Sequence, residues 1–177
     1  MKEFLKRLPL PISGVMLALA SAGNMVALWG ESWRYVCGGT ATVIMCLLLM
    51  KVVFDFPSIV QGLGNAVIAS VLPTFSMGVM ILSTYLVPFV GKAAVIPWIV
   101  GLCLHVVLMV FYFIRFLSVR VITNVYPSSF IAFVGILVAP VTVSYFGFQE
   151  LGWVIFWFGF GCYMIALPVI LYRMLVV

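Results

Sequence analysis

The chain has 177 residues, of which 66% are hydrophobic and only 7% are charged. A soluble domain carries about 25% charge, so this composition excludes a water-solvated globule and points to lipid. The net charge of +5 calls for no nucleic-acid partner, because anionic lipid on an inner membrane face accounts for it.

A helix crossing the hydrocarbon core needs about 20 apolar residues, and six stretches qualify. Residues 1–7 are basic, but Pro9 and Pro11 interrupt the approach to the first stretch, so it reads as a retained helix rather than a cleaved signal. That first stretch, 12–28, is rich in small residues: Gly14, Ala18, Ala20, Ser21, Ala22, Gly23, then Asn24. The second, 33–54, is bulkier and has Lys51 near its end. Between Asp55 and Val71, Pro57, Gly62, Gly64 and Asn65 interleave with Ile59, Leu63, Val67 and Ile68, a pattern that predicts a short helix lying in the interface.

The third stretch, 72–90, opens Pro73-Thr74-Phe75-Ser76-Met77-Gly78. The fourth, 94–116, is bulky and holds His105 near its centre. An ionisable group at that depth invites a function, and the residue reads either as packing or as a proton-coupling group. The fifth, 127–146, opens Pro127-Ser128-Ser129-Phe130. Pro140 lies inside it and predicts a kink near Gly135. The sixth, 151–172, is bounded by Gly147 and Glu150 before it and Arg173 after it.

Runs such as Leu47-Leu48-Leu49-Met50 do not alternate, which argues against a membrane β-barrel. The expected fold is an all-α polytopic membrane protein, a single transmembrane domain over 1–177 with six helices paired as three hairpins. Seven basic residues (Lys2, Lys6, Arg7, Lys51, Arg115, Arg120 and Arg173) fall on one side of these spans, and only Arg34 and Lys92 fall on the other. The bias puts both termini in the cytoplasm, with the chain in the cell's inner or plasma membrane. Trp29, Trp33, Tyr35, Tyr85, Trp98 and Trp153 lie near the outer boundary and read as interface anchors. Cys37, Cys46, Cys103 and Cys162 lie within predicted helices, without metal spacing, and read as reduced thiols.

The odd-numbered stretches share a design. Pro11, Pro73 and Pro127 open them at spacings of 62 and 54 residues, which fits a repeating helical hairpin. Small residues permit close helix approach or leave room for a path, so the odd helices are expected inside and the bulky even ones outside. Tight packing around a solid centre is the alternative. Candidate pore-lining or kink residues are Ser13, Gly14, Asn24, Pro73, Ser76, Gly78, Pro127, Ser128, Gly135 and Pro140, with Thr74, Thr84 and Ser129 as further polar contacts. No catalytic, cofactor-binding or metal motif is present in the sequence, and no enzyme activity or cofactor is expected.

The segment Pro9-Leu10-Pro11-Ile12-Ser13-Gly14-Val15-Met16, the repeated hairpins, and the run from Pro127 to Pro140 resemble the tellurite-resistance/dicarboxylate transporter family, which includes the bacterial TehA proteins and the plant slow-type anion channels. The resemblance implies a ten-helix, quasi-fivefold bundle whose odd helices line a pore for small anions or dicarboxylates, in a homo-oligomer that is typically trimeric. By that likeness the chain is an N-terminal partial member with three of five hairpins. The family's gating phenylalanine lies in the ninth helix, so the gate residue here is unknown. The alternative function is a non-conducting assembly or accessory subunit, or an inactive fragment.

Overall fold

The computed structural model describes residues 2–118 and 125–176, and within them the chain is helical. Helix α1 (Lys2–Arg7) leads into α2 (Ile12–Val26), which a tight turn extends to Trp29. Gly30 then reverses the chain into α3 (Glu31–Phe54). Two short helices follow, α4 (Phe56–Leu63) and α5 (Ala66–Val71). The segment expected to be one interfacial helix is therefore two, because Asn65 starts a new one. Its side-chain oxygen accepts from the backbone N–H of Val67 and Ile68, an N-cap that satisfies two otherwise orphaned donors.

Helices α6 (Pro73–Val90) and α7 (Val95–Tyr112) form the next pair. The fifth apolar stretch is broken into α8 (Ser129–Val134), a tight turn at Gly135–Leu137, and α9 (Val138–Thr142). Pro140 has no N–H to donate and its ring crowds the preceding turn, so the break falls at Gly135, as the sequence suggests. Helix α10 (Gln149–Val176) completes the order. Arg120 lies outside the described residues.

Four apolar helical stretches are long enough to cross a membrane: Ile12–Trp29, Glu31–Phe54, Ala66–Leu117 and Gln149–Val176. The third contains both α6 and α7, which fold back on each other at Gly91, and the segment Ser129–Tyr145 is apolar but shorter. The chain is a multi-pass membrane protein. Gly30, Gly91 and Gly147 sit between α2 and α3, α6 and α7, and α9 and α10, and all three have positive φ. Each reversal thus uses a backbone conformation that glycine adopts without steric cost.

The helices α2, α6 and α8–α9 run parallel. Ser13 meets Thr74, Met16 meets Gly78, and Ala20 meets Tyr85. Likewise Ser70 meets Ser128, and Met77 meets Gly135. Each of the three is backed by the antiparallel helix that follows it. The outer helices bury one narrow stripe: Arg34, Gly38, Ala41, Leu48 and Lys51 on α3, and Trp98, Gly101, His105, Met109 and Tyr112 on α7. By contrast α6 is enclosed, with every residue from Met80 to Tyr85 buried.

Lipid tails are as apolar as leucine, so close packing rather than water exclusion holds such helices together. At the α2–α3 seam, Ala20 and Gly23 face Gly38 and Ala41, all buried, and the Tyr85 ring of α6 fills the niche. A Cβ on Gly38 would stand 2.6 Å from Tyr85 Cδ1. We expect Gly38→Ala to displace that ring and cost about 1–3 kcal/mol, read as a lowered unfolding midpoint in detergent micelles. The same change at Gly39, where nothing lies within 4 Å of the new Cβ, should leave the midpoint unmoved.

Candidate functional site

Most of the buried polar side chains gather around α6. Ser70, just before it, lies 2.6 Å from Ser128. One turn into the bundle, Ser13 Oγ and Thr74 Oγ1 are 2.7 Å apart. Ser13 also reaches the Leu10 carbonyl at 3.1 Å and Thr74 the Val71 carbonyl at 2.8 Å. Two hydroxyl hydrogens therefore serve three contacts, and only two of the three can be made at once.

Ser76 is next. Its hydroxyl donates to the Pro73 carbonyl at 2.7 Å and lies 3.0 Å from His105 Nδ1. A serine has one hydrogen, so with that hydrogen on Pro73 the histidine Nδ1–H is the donor to Ser76. His105 is fully buried, and its Nε2 is the one buried side-chain polar atom among the described residues without a hydrogen-bond partner. Gly135 lies beside the ring; a Cβ there would be 3.0 Å from His105 Cε1 and 2.6 Å from Met77 Sδ. The break in the fifth stretch thus sits against the buried histidine.

At the far end of α6, Tyr85 donates its hydroxyl hydrogen to the Ala20 carbonyl at 2.6 Å. The Arg34 guanidinium stacks 4.8 Å over the Tyr85 ring. Its Nε donates to Asn24 Oδ1 at 3.2 Å, and the other nitrogens reach Glu31 and the Thr84 carbonyl at 3.5 Å.

These contacts locate the candidate residues. Ser13, Pro73, Ser76, Gly78 and Gly135 are buried on or against α6, and Ser128 joins them through Ser70. Ser129 bonds Tyr112 instead, at 2.7 Å. Asn24 is held apart, at the Arg34 end. Gly14 lies on a face of α2 where a Cβ would meet nothing within 4 Å. Pro127 is exposed, and Pro140 packs beside Gly152 of α10.

Two aromatics expected to anchor the membrane interface do not. Tyr85 is 6% exposed and Trp98 only 1%, because each spends its polar atom inside. Trp98 Nε1–H donates to Thr142 Oγ1 at 2.8 Å. Trp29, Trp33 and Trp153 are exposed, as anchors must be.

A second set of residues emerges only in three dimensions. Along the buried stripe of α7, Trp98 bonds Thr142, His105 bonds Ser76, and Tyr112 bonds Ser129. They stand seven residues apart, so they lie on one face of the helix. That spacing is present in the sequence and was the signal available for finding them.

Cavities of about 250, 390, 280 and 310 Å³ lie among the described residues, and none of the four is lined by α2, α6 and α8–α9 together. Among the described residues no group of His, Cys, Asp and Glu side chains forms a set that would hold a metal ion. Compared with models of known families and with curated proteins, the chain matches none.

The geometry separates the two members of the central pair. Ser76→Ala removes the side-chain partner of His105 and should cost about 1–3 kcal/mol. His105→Leu removes the histidine and leaves Ser76 bonded to its own helix, so it should cost less. Unfolding of both variants in one detergent, by circular dichroism against denaturant, gives the order.

Proposed function

We propose that this chain takes part in membrane transport of small anions or dicarboxylates, as its resemblance to the tellurite-resistance/dicarboxylate transporter family implies. In this reading there are six spans in three hairpins, and α2, α6 and α8–α9 belong to the inner wall of a larger, homo-oligomeric bundle. The observation that carries the proposal is the parallel alignment of three proline-opened helices, each backed by a bulkier antiparallel helix. Irregular backbone at membrane depth is tolerated where protein or a water-lined path covers it, and the break at Gly135 is such a place.

The path-facing surface in this reading is the free side of α2, where Ala18, Ser21 and Ala22 are exposed. Small side chains and a hydroxyl there exchange weakly with an anion's hydration shell, without a buried charge that would trap it. The site would need no catalytic group and no cofactor. A second reading, a non-conducting assembly subunit, is favoured by one observation: the α6 hydroxyls of Thr74, Ser76, Ser83 and Thr84 each reach the carbonyl three residues earlier, leaving none free for a substrate as donor.

Reconstituted liposomes separate the two. Transport requires efflux of chloride, nitrate or succinate above that of empty vesicles. It also requires that Ala18→Trp abolish the efflux while Val43→Trp, on the exposed face of α3, leaves it intact. Absence of flux, from the chain alone and from the chain supplemented with further hairpins of such a bundle, would overturn the transport reading.

The same reading puts both termini in the cytoplasm. In a background lacking the four native cysteines, Glu150→Cys should react in intact cells with a maleimide that cannot cross the membrane. Reaction only after permeabilisation would reverse the orientation.

A further inference from the structure

We infer that the N-terminal end of the bundle holds one anionic phospholipid, its phosphate between residues 6–11 and the α4–α5 corner, and an acyl chain in the groove between α3 and α7. Two cavities adjoin there. The first, about 390 Å³, is lined by Lys6, Arg7, Ser58, Gln61 and Asn65 among others, and by no carboxylate. The second, about 310 Å³, is apolar and runs between Leu48 and Leu49 of α3 and Leu104 and Leu108 of α7.

The charge of the first cavity is the first argument. Lys51 also reaches it, but its ammonium is occupied: it donates to the Leu5 carbonyl at 2.6 Å and pairs with Asp55 at 3.1 Å. Lys51 therefore shapes the cavity by holding the N-terminal segment against α3, with its charge offset. The surplus belongs to Lys6 and Arg7. Lys6 meets only Glu3, at 3.3 Å and on the surface, a contact worth little. Arg7 has no ion pair among the described residues. The side chains of Ser58 and Gln61 make no hydrogen bond among the described residues either. A guanidinium, an ammonium, a hydroxyl and an amide around one space, with no acid, suit a phosphate diester.

The second argument is continuity. Leu10 lines both cavities. Helix α4 divides them, turning Ser58, Gln61 and Gly62 to the polar one and Ile59 and Leu63 to the apolar one. A free phosphate satisfies the first cavity alone. A lipid satisfies both, with the charged and apolar parts of one molecule on the two sides of α4. The site stands whether or not the bundle conducts.

Native mass spectrometry of the delipidated chain provides the test. Titration with phosphatidylglycerol should give one tightly retained lipid, and phosphatidylcholine should bind more weakly. Each basic residue near a membrane surface contributes enough that Arg7→Gln should weaken retention about fivefold, and Lys6→Gln with Arg7→Gln more so. Leu104→Trp, which fills the groove, should weaken phosphatidylglycerol binding while leaving the circular dichroism spectrum unchanged. Because that variant reshapes a packed region, soluble glycerol phosphate supplies an independent arm and should not displace the lipid at equal concentration. Equal retention of the two lipids, no effect of Arg7→Gln, or displacement by glycerol phosphate would each overturn the inference, the last assigning the cavity to a free anion.

Discussion

A hydroxyl placed in hydrocarbon finds no water, so its hydrogen bond must be met by protein. Helix α6 is built around that constraint. Thr74, Ser76, Ser83 and Thr84 each return a hydrogen bond to the carbonyl three residues earlier. Their oxygens keep lone pairs, and these reach outward: Ser13 from α2 and His105 from α7 take up two of them. The hydroxyls are thus satisfied locally and still able to bind neighbouring helices. That dual use explains why the most hydroxyl-rich span is also the most enclosed.

The clamp on the broken fifth stretch follows from the same rule. A helix interrupted by Gly135 and Pro140 is soft, because its hydrogen-bond ladder does not run through. Helix α7 compensates by gripping it at both ends, through Ser129 and Thr142, and by bonding α6 in the middle. Trp98 and Tyr112 each join a large apolar body to one polar atom. They fill volume and fix register together. His105 differs from the other two in having a second ring nitrogen, and that nitrogen is left bare beside the break.

Much of this architecture was legible in the sequence because hydrophobic length and proline–glycine punctuation are local signals. Four apolar helical stretches long enough to cross a membrane stand on apolar runs of the sequence, and a shorter fifth is interrupted at Gly135, five residues before Pro140. The side-chain pairings were not legible, because each depends on a partner far along the chain. Tyr85 and Trp98 have the amphipathic character and boundary position of interface anchors. What satisfies their polar atoms inside is the Ala20 carbonyl for one and the Thr142 hydroxyl for the other. The candidate hydroxyls pose the same difficulty. Ser13 reads alike whether it faces a path or Thr74, and only the α2–α6 register decides. Asn65 was local in its consequence, yet its capping geometry emerges only once α5 is seen to begin there.

The two buried cations close the account of how this bundle sits in lipid. Arg34 and Lys51 occupy the two ends of the buried stripe of α3, and at about 1.5 Å per residue they stand about 25 Å apart. The hydrocarbon layer is about 30 Å thick. A cation is costly at the centre of that layer and far cheaper at its edges. Each is also paired there: Lys51 with Asp55 and the Leu5 carbonyl, Arg34 with Asn24 and the face of Tyr85. Between them the outward side of α3 presents Tyr35, Val36, Val43 and Leu49 as its large exposed apolar groups. The helix therefore cannot slide along the membrane normal without dragging one charge inward. That fixed depth is inherited by α2, which packs on the same stripe, and through the Ser13–Thr74 contact by α6. The position of the polar ladder in the bilayer is set by two charges that are not part of it.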